Sequence, residues 1–582
     1  MKSETFTIGP GAHFTFRVKG GAGNVSAFIA LKRAADDAII VKLDQVPVDV
    51  FIPVDWDLGA HQGVNAFLET GTGDCVIAEC CMYDETVFDN GAVFFIVDRE
   101  KIEVLDGKRL GRHYKSDPFR PLFHFTPVRN WINDPCGLVQ WKGLYHLFCQ
   151  YHPYSSFWGP MHWSHAVSSD LVHWRHLPMA LAPDTTGHAD DFSGIFTGSA
   201  VENGSELAIV YTDHRDMRYH PDRIMQSQAL ATSADGVVFK KFPGNPVIGA
   251  RPEDAGEDFR DPKVWREDGE WRMVLGTSHG GRGKIILYGS ADLVYWEYRG
   301  DLYRAERDGI GMFECPDFFA IGGRNVLIAS VVQEREGKKE FYAAAMTGTL
   351  RNGAFVSAQR ARLDFGPDFY APQAFLDDRG RRIVIAWMEN WGNQFVTHTR
   401  GWTGALTLPR ELTLDDEGRL VQRPVEELRS LRKTSTPLIE LVDRNLDNST
   451  VPLHESIDLF ELIITFQPLD DDALCGVVIA NSDGEELRVY HDAGRSTVVI
   501  DRSRLSAGEK GVFQAHVSLM NDGMMDMHLY CDRSSVELFA CGYSAAGTAR
   551  FYFNDPEKMV EVFSRGRVRI TRCALWELDM AW

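Results

Sequence analysis

Apolar residues along this chain come in short runs, many alternating with polar positions, and Gly, Asp and Asn break the runs. A period of two over a few residues marks half-buried strands, and long stretches with apolar positions three and four apart are nearly missing. The pattern predicts an all-β protein. Five segments also share one plan: a small turn group, an apolar strand, a polar turn and a second apolar strand. They are DPCGLVQWKGLYHLFCQY from 134, GIFTGSAVENGSELAIVYTD from 194, DPKVWREDGEWRMVLGTS from 261, CPDFFAIGGRNVLIASVV from 315 and APQAFLDDRGRRIVIAWM from 371. A fainter repeat follows three of these hairpins, with SSDLVHWRHL from 168, SADGVVFKKF from 233 and SADLVYWEYR from 290. Repeats of this length, with two to four strands each, are what propeller blades produce.

The pattern therefore predicts a five-bladed β-propeller over 121–422. Residues 1–105 read as a separate β-rich domain from runs such as HFTFRV, VSAFIAL, VDVFIPV and AVFFIVD, and 106–120 as a linker. The charged stretch 423–435 reads as a connector helix, and FELIITF, CGVVIA, STVVID and ARFYF predict a β-sandwich over 436–582.

In a propeller the first strand of each blade starts beside the axis, so residues opening the repeats project into one funnel. Asp134 opens the first repeat, Asp261 the third, and Glu314 stands just before the fourth. Like charges held close raise at least one pKa. An ionised carboxylate beside a protonated carboxyl is what glycosidic cleavage needs, about 5 Å apart when configuration is retained.

These residues resemble a known family, glycoside hydrolase family 32, the invertases, inulinases and levanases. WINDPCG (131–137), FRDP (259–262) and FECPDFF (313–319) look like that family's three acidic boxes. QYHP, FWGPMHWSHA, FTGSAV, DFGPDFYAPQAF, GWTGALTLPREL and DRSSVELF follow in the family's order, so the resemblance spans about 120 to 580. It implies a propeller with a carboxyl-terminal sandwich, and a retaining β-fructofuranosidase acting on sucrose, fructo-oligosaccharides or fructans. Asp134 would be the nucleophile, Glu314 the acid and base, and Asp261 the residue holding fructose hydroxyls in the transition state. Asn133, Gln150, Trp158, Phe196, Thr197 and Arg260 match positions lining the sugar pocket, with Trp387 a further candidate. The chemistry implies no cofactor and no metal, and the histidines at 152, 162, 165, 173 and 176 read as hydrogen-bonded core or pocket residues. Cys136, His152 and Thr197 depart from the family's usual Asn, Asn and Ser. The first two are expected to border the leaving-group side and to alter the balance between sucrose and oligosaccharides. Transfer of fructose to a sugar acceptor, giving oligosaccharides or cyclic difructose products, and non-catalytic fructan binding are the competing readings. An arabinoside- or xyloside-cleaving propeller is disfavoured by WINDPCG and FTGSAV.

Composition narrows the partners. With 61 Lys plus Arg against 82 Asp plus Glu the net charge is −21, which repels nucleic acid and anionic lipid but leaves a neutral sugar unaffected. No apolar run is long enough for a membrane helix. The amino terminus lacks a basic and apolar leader pattern, and ten scattered cysteines without metal spacing suit reduced thiols, so the expected location is cytoplasmic. Self-association through the first or last β domain stays open.

Overall fold

The computed structural model describes residues 1–19, 28–44, 51–71, 76–98, 101–184, 193–216, 224–306, 309–520 and 522–582. Cys75 and the first residues of the VSAFIAL and VDVFIPV runs lie outside them. The chain is all-β as expected. Two antiparallel sheets form the first part, and the alternation of His13–Lys19 buries Phe14, Phe16 and Val18 against Ile29, Leu31 and Leu68 of the facing sheet. The stretch read as a linker is different: Gly107–Lys115 is an α-helix, capped by the Asp106 carboxylate on the Arg109 N–H at 2.9 Å. Its apolar face is only Leu110 and Tyr114, four apart among basic residues, too sparse a stripe to read as a helix. Tyr114 is buried, and its hydroxyl lies 3.1 Å from His176 Nε2.

Five antiparallel sheets follow, and each repeat hairpin supplies the first two strands of one. The first strands are Asn130–Trp141, Gly194–Asn203, Phe259–Glu267, Ile310–Ile321 and Tyr370–Leu376. Each packs on the next, and the fifth packs on the first. Trp402–Thr403, which follows the first hairpin of the fifth sheet, pairs parallel with Asn130–Trp131 of the first. The fainter repeat is one turn used three times. Asp170, Asp235 and Asp292 each accept a serine hydroxyl two residues earlier and two backbone N–H groups that follow.

The stretch 423–435 contains a short 3₁₀ turn, Glu426–Leu431, which buries Leu428 and Leu431. Two six-stranded sheets then enclose a core containing Phe460, Leu462, Val477, Val489, Leu529 and Phe551. Where this sandwich meets the five sheets, charge is buried. The Arg410 guanidinium donates to Glu537 at 2.6 Å, Asp364 at 2.9 Å and Thr548 at 2.6 Å, with all three ionic side chains fully covered. His124 bridges Asp532 at 2.9 Å and Glu537 at 3.0 Å. Burial alone would push both carboxyls up, but their partners hold them below the usual carboxylate range. Depressed carboxyl pKa values stabilise the fold above the unfolded values, and that stability is lost as pH falls through the folded ones.

Arg410→Met would strand two buried carboxylates and should cost about 3–5 kcal/mol in urea unfolding. A neutral outcome would mean that the junction does not hold the sandwich in place.

Candidate active site

All five first strands carry the same irregularity. Pairing with the second strand slips by one residue at Ile132/Pro135, Phe196/Gly198, Arg260/Lys263, Glu314/Asp317 and Tyr370/Gln373. A β-bulge of this kind re-aims side chains. Asp261, Cys315 and Ala371 sit in the bulges with positive φ of 67°, 48° and 49°. Pro follows the bulged residue in four of the five strands, where its missing N–H costs no ladder bond.

Aligning the bulges sorts the inward residues into tiers. Asn133, Phe196, Arg260, Glu314 and Tyr370 form the upper one, and Asp134, Thr197, Asp261, Cys315 and Ala371 the next. Beyond the bulge, two residues further on, lie Cys136, Ser199, Lys263, Asp317 and Gln373. Hydrogen bonds run round each tier. Arg260 Nη2 donates to Glu314 Oε1 at 2.7 Å, the Tyr370 hydroxyl donates to Glu314 Oε2 at 2.6 Å, and Arg260 also pairs with Asp258. In the second tier the Thr197 hydroxyl donates to Asp134 Oδ2 at 2.7 Å, and Asn133 donates to Asp134 Oδ1 at 3.1 Å. The Cys315 N–H donates to Asp261 Oδ2 at 2.8 Å. Its thiol lies 3.4 Å from Asp134 Oδ2 and 3.7 Å from Asp261 Oδ2, so the two carboxylates share one small donor. Lys263 and Asp317 pair at 3.0 Å in the third tier.

Burial dominates the electrostatics. It pushes the Asp134 carboxyl up, with Glu314 adding repulsion, against the bonds from Thr197, Asn133 and Cys315. Burial, followed by repulsion from Glu314 and Asp134, pushes Asp261 up to about 7 despite Arg260. Burial and the Glu314 charge hold the Tyr370 phenol well above its usual value, so it stays a donor. The centre thus gathers three buried or half-buried carboxyls, one of them held by a guanidinium and a phenol.

The other sequence candidates divide. Trp158 is 45% exposed and sets its ring 6.3 Å from Phe196, which stacks on His214 at 4.1 Å. Gln150 is buried, and its amide donates to the Ile195 carbonyl at 3.0 Å, tying the first two sheets together. Trp387 is not at an open surface. It is fully buried among Trp131, Trp391 and Phe395, because its strand turns that side into the aromatic cluster behind Tyr370. Cys136 is likewise a core residue. It lies beyond the bulge with no exposed surface, packed among Phe148, Trp163 and Ile195, since the bulge sends Asp134 and Cys136 to different levels. His152 is buried under the following loop, its Nδ1 2.7 Å from the Phe157 carbonyl, and so supports the segment that carries Trp158.

Each cluster histidine has a local partner: His162 the Pro160 carbonyl, His173 Asp170, His176 Tyr114 and His165 His146. Among the described residues no grouping of His, Cys, Asp and Glu could hold a metal ion, and no helix is long and apolar enough to cross a membrane. Sequence reasoning missed Tyr370 and Cys315. Tyr370 precedes its repeat opening as Glu314 precedes CPDFF, so the offset of the repeat carried the signal.

The family models described as "Glycosyl hydrolases family 32 N-terminal domain" and "Glycosyl hydrolases family 32 C terminal" match residues 124–424 and 426–577. The sucrose-6-phosphate hydrolase of Zymomonas mobilis is 37% identical over 450 residues, 74% of this chain and 86% of that protein. The solved GH32 β-fructofuranosidase of Bombyx mori is 30% identical with a TM-score of 0.70, covering 81% of this chain and 97% of its own. A family 32 glycoside hydrolase structure from Bifidobacterium adolescentis, 22% identical, shares the fold over 100% of both chains with a TM-score of 0.84.

Because Cys136 sits in a dry core, Cys136→Asn should lower stability by about 1–3 kcal/mol, the cost of a buried amide with incomplete hydrogen bonding. Turnover ratios between short and long substrates should not move. Thermal unfolding beside kinetics on both would show which of the two responds.

Proposed function

The chain belongs to glycosyl hydrolase family 32, and we propose that it is a retaining β-fructofuranosidase that releases terminal fructose from sucrose, fructo-oligosaccharides or fructans. The observation that carries this reading is the placing of three carboxyls around Cys315. Asp134 and Asp261 lie against its thiol, and Glu314, the preceding residue, is held by Arg260 and Tyr370. Asp134 attacks the anomeric carbon, and Glu314 protonates the departing oxygen and later deprotonates water. Asp261 accepts hydrogen bonds from fructose hydroxyls, which strengthen as the ring flattens. Asn133, Thr197 and Arg260 fix the carboxylates, while Trp158 and Phe196 offer apolar surface to the sugar.

The same reading extends to architecture. The five sheets are the blades of a closed propeller, with the Trp402–Thr403 pairing joining the last blade to the first. The paired sheets before residue 106 are an accessory domain, and the full-length likeness in fold to the Bifidobacterium structure supports that division. A cytoplasmic site of action fits the nine described cysteines, all buried free thiols.

Chromatography of products from sucrose, inulin-type oligomers and levan should give free fructose, and Asp134→Ala should give none. Longer or cyclic products would mean transfer instead. Glu314→Gln should lower kcat/KM about 10²- to 10⁴-fold. In the wild type the acid limb of kcat/KM should lie above the ~3.9 of an ordinary aspartate, because burial raises Asp134 and Asp261, and it belongs to the coupled cluster rather than to one residue. A limb at or below that value would mean that burial does not raise the acidic cluster.

A further inference from the structure

The loop 153–161 joins the second and third strands of the first sheet and carries Trp158, whose ring lies 6.3 Å from Phe196. An aromatic on a loop loses freedom when a ligand covers it, so its hold on a sugar depends on how firmly the loop is fixed beforehand. Two histidines fix it here. His152 closes the second strand and His162 opens the third, and their Nδ1 atoms lie 2.7 Å from the Phe157 carbonyl and 2.9 Å from the Pro160 carbonyl. Those two carbonyls bracket Trp158 and Gly159. Burial lowers both imidazoles below their ordinary pKa, so at neutral pH each is uncharged, carries its proton on Nδ1 toward the carbonyl and leaves Nε2 as an acceptor.

Tyr154 stands between the two imidazoles. Its ring meets His152 at 5.6 Å and 87° and His162 at 5.3 Å and 85°, and its hydroxyl donates to His162 Nε2 at 3.3 Å. Burial pushes the phenol up to about 12, so it keeps the proton it donates. The same ring is stacked on Phe51, with centroids 3.9 Å apart and planes 14° from parallel. Phe51 belongs to the amino-terminal sheets, immediately before the strand Ile52–Asp57. Arg17, buried on the adjacent strand His13–Lys19, lies beside the Tyr154 hydroxyl. From the five sheets the loop backbone is tied by Asn130, which donates to the Pro153 carbonyl at 2.6 Å, and by Thr403, which donates to the Ser156 carbonyl at 2.7 Å.

We propose that Tyr154 is a positioning residue for sugar recognition, and that the amino-terminal sheets, through Phe51 and Arg17, hold it against the two histidines that place Trp158. The inference rests on Trp158 offering its ring to the sugar, as in the proposed function, and it gives the amino-terminal part a role in affinity. The chemistry is held elsewhere. Arg260, Tyr370, Thr197, Asn133 and Cys315 fix the three carboxyls, so loosening Tyr154 should raise KM and spare kcat.

Kinetics of full-length variants on sucrose, beside hydrogen exchange without substrate, test this. Phe51→Ala removes the stacked ring and should raise KM about 2- to 10-fold with kcat kept within about twofold, the loss expected when one side chain is no longer ordered in advance. Phe51→Tyr, which keeps the ring, should behave as the wild type. On a Trp158→Ala background Phe51→Ala should add nothing to KM, because it acts through that ring. Exchange in peptides covering 153–161 should speed up in Phe51→Ala and not in Phe51→Tyr. Phe51→Leu, which keeps most of the bulk, takes the place of alanine if the latter unfolds the amino-terminal sheets. An unchanged KM, a fall in kcat alone, unchanged exchange at 153–161, or the same rise in KM with and without Trp158 would overturn the proposal. Wild-type KM in Trp158→Ala alone would overturn it at its premise. A wild type that releases no fructose would instead refute the proposed activity, and exchange at 153–161 would still decide whether Phe51 holds the loop.

Discussion

One extra residue on the first strand of each of five sheets is the constraint on which the site depends. A ladder that gains a residue on one side must kink, and here all five kinks fall at matching positions. Side chains that regular pleating would alternate between faces are instead turned together toward the middle. Asp134, Asp261 and Glu314 meet for that reason, although 127 and 53 residues separate them in turn. The positive φ values at Asp261, Cys315 and Ala371 are the local cost, and the packing of neighbouring first strands holds them in place.

Once acidic groups are gathered out of water, every neighbour is explained by what charge needs. Desolvation raises Asp134 and Asp261, and the Thr197 hydroxyl, the Asn133 amide and the Cys315 thiol and amide supply the donors that keep them usable. Glu314 takes a guanidinium and a phenol. The same physics recurs where the sandwich docks. Arg410, His124, Asp364, Asp532 and Glu537 are buried together, and leaving any one unpaired would cost more than most hydrophobic contacts return. The junction joins sandwich and sheets through ion pairs that cross from one to the other.

The first sheet carries more than its share. Its inner strand holds Asp134, its second strand ends at His152 under the Trp158 loop, and its outermost strand, Trp174–Leu181, meets the amino-terminal sheets at Val76–Tyr83. A stretch read as a linker turns out to be the capped helix Gly107–Lys115, which presses Tyr114 against His176 of that same sheet. The amino-terminal part is therefore anchored, not tethered.

Strand content, the five repeats and the three carboxylates were all legible along the chain, because alternation, turn chemistry and X-Pro openings are local properties that each unit repeats. Even Tyr370 was within reach, through its offset before APQAF. Other assignments needed the third dimension. Whether Trp387 and Cys136 face a pocket or a core depends on what packs around each, and a slip of one residue along a strand reverses the answer. The Arg410 junction joins elements far apart in sequence. Local pattern alone determined the units and their chemistry, and only tertiary packing decided which side chains were left facing water, one another or an enclosed space, since burial is a property of neighbours and not of residues.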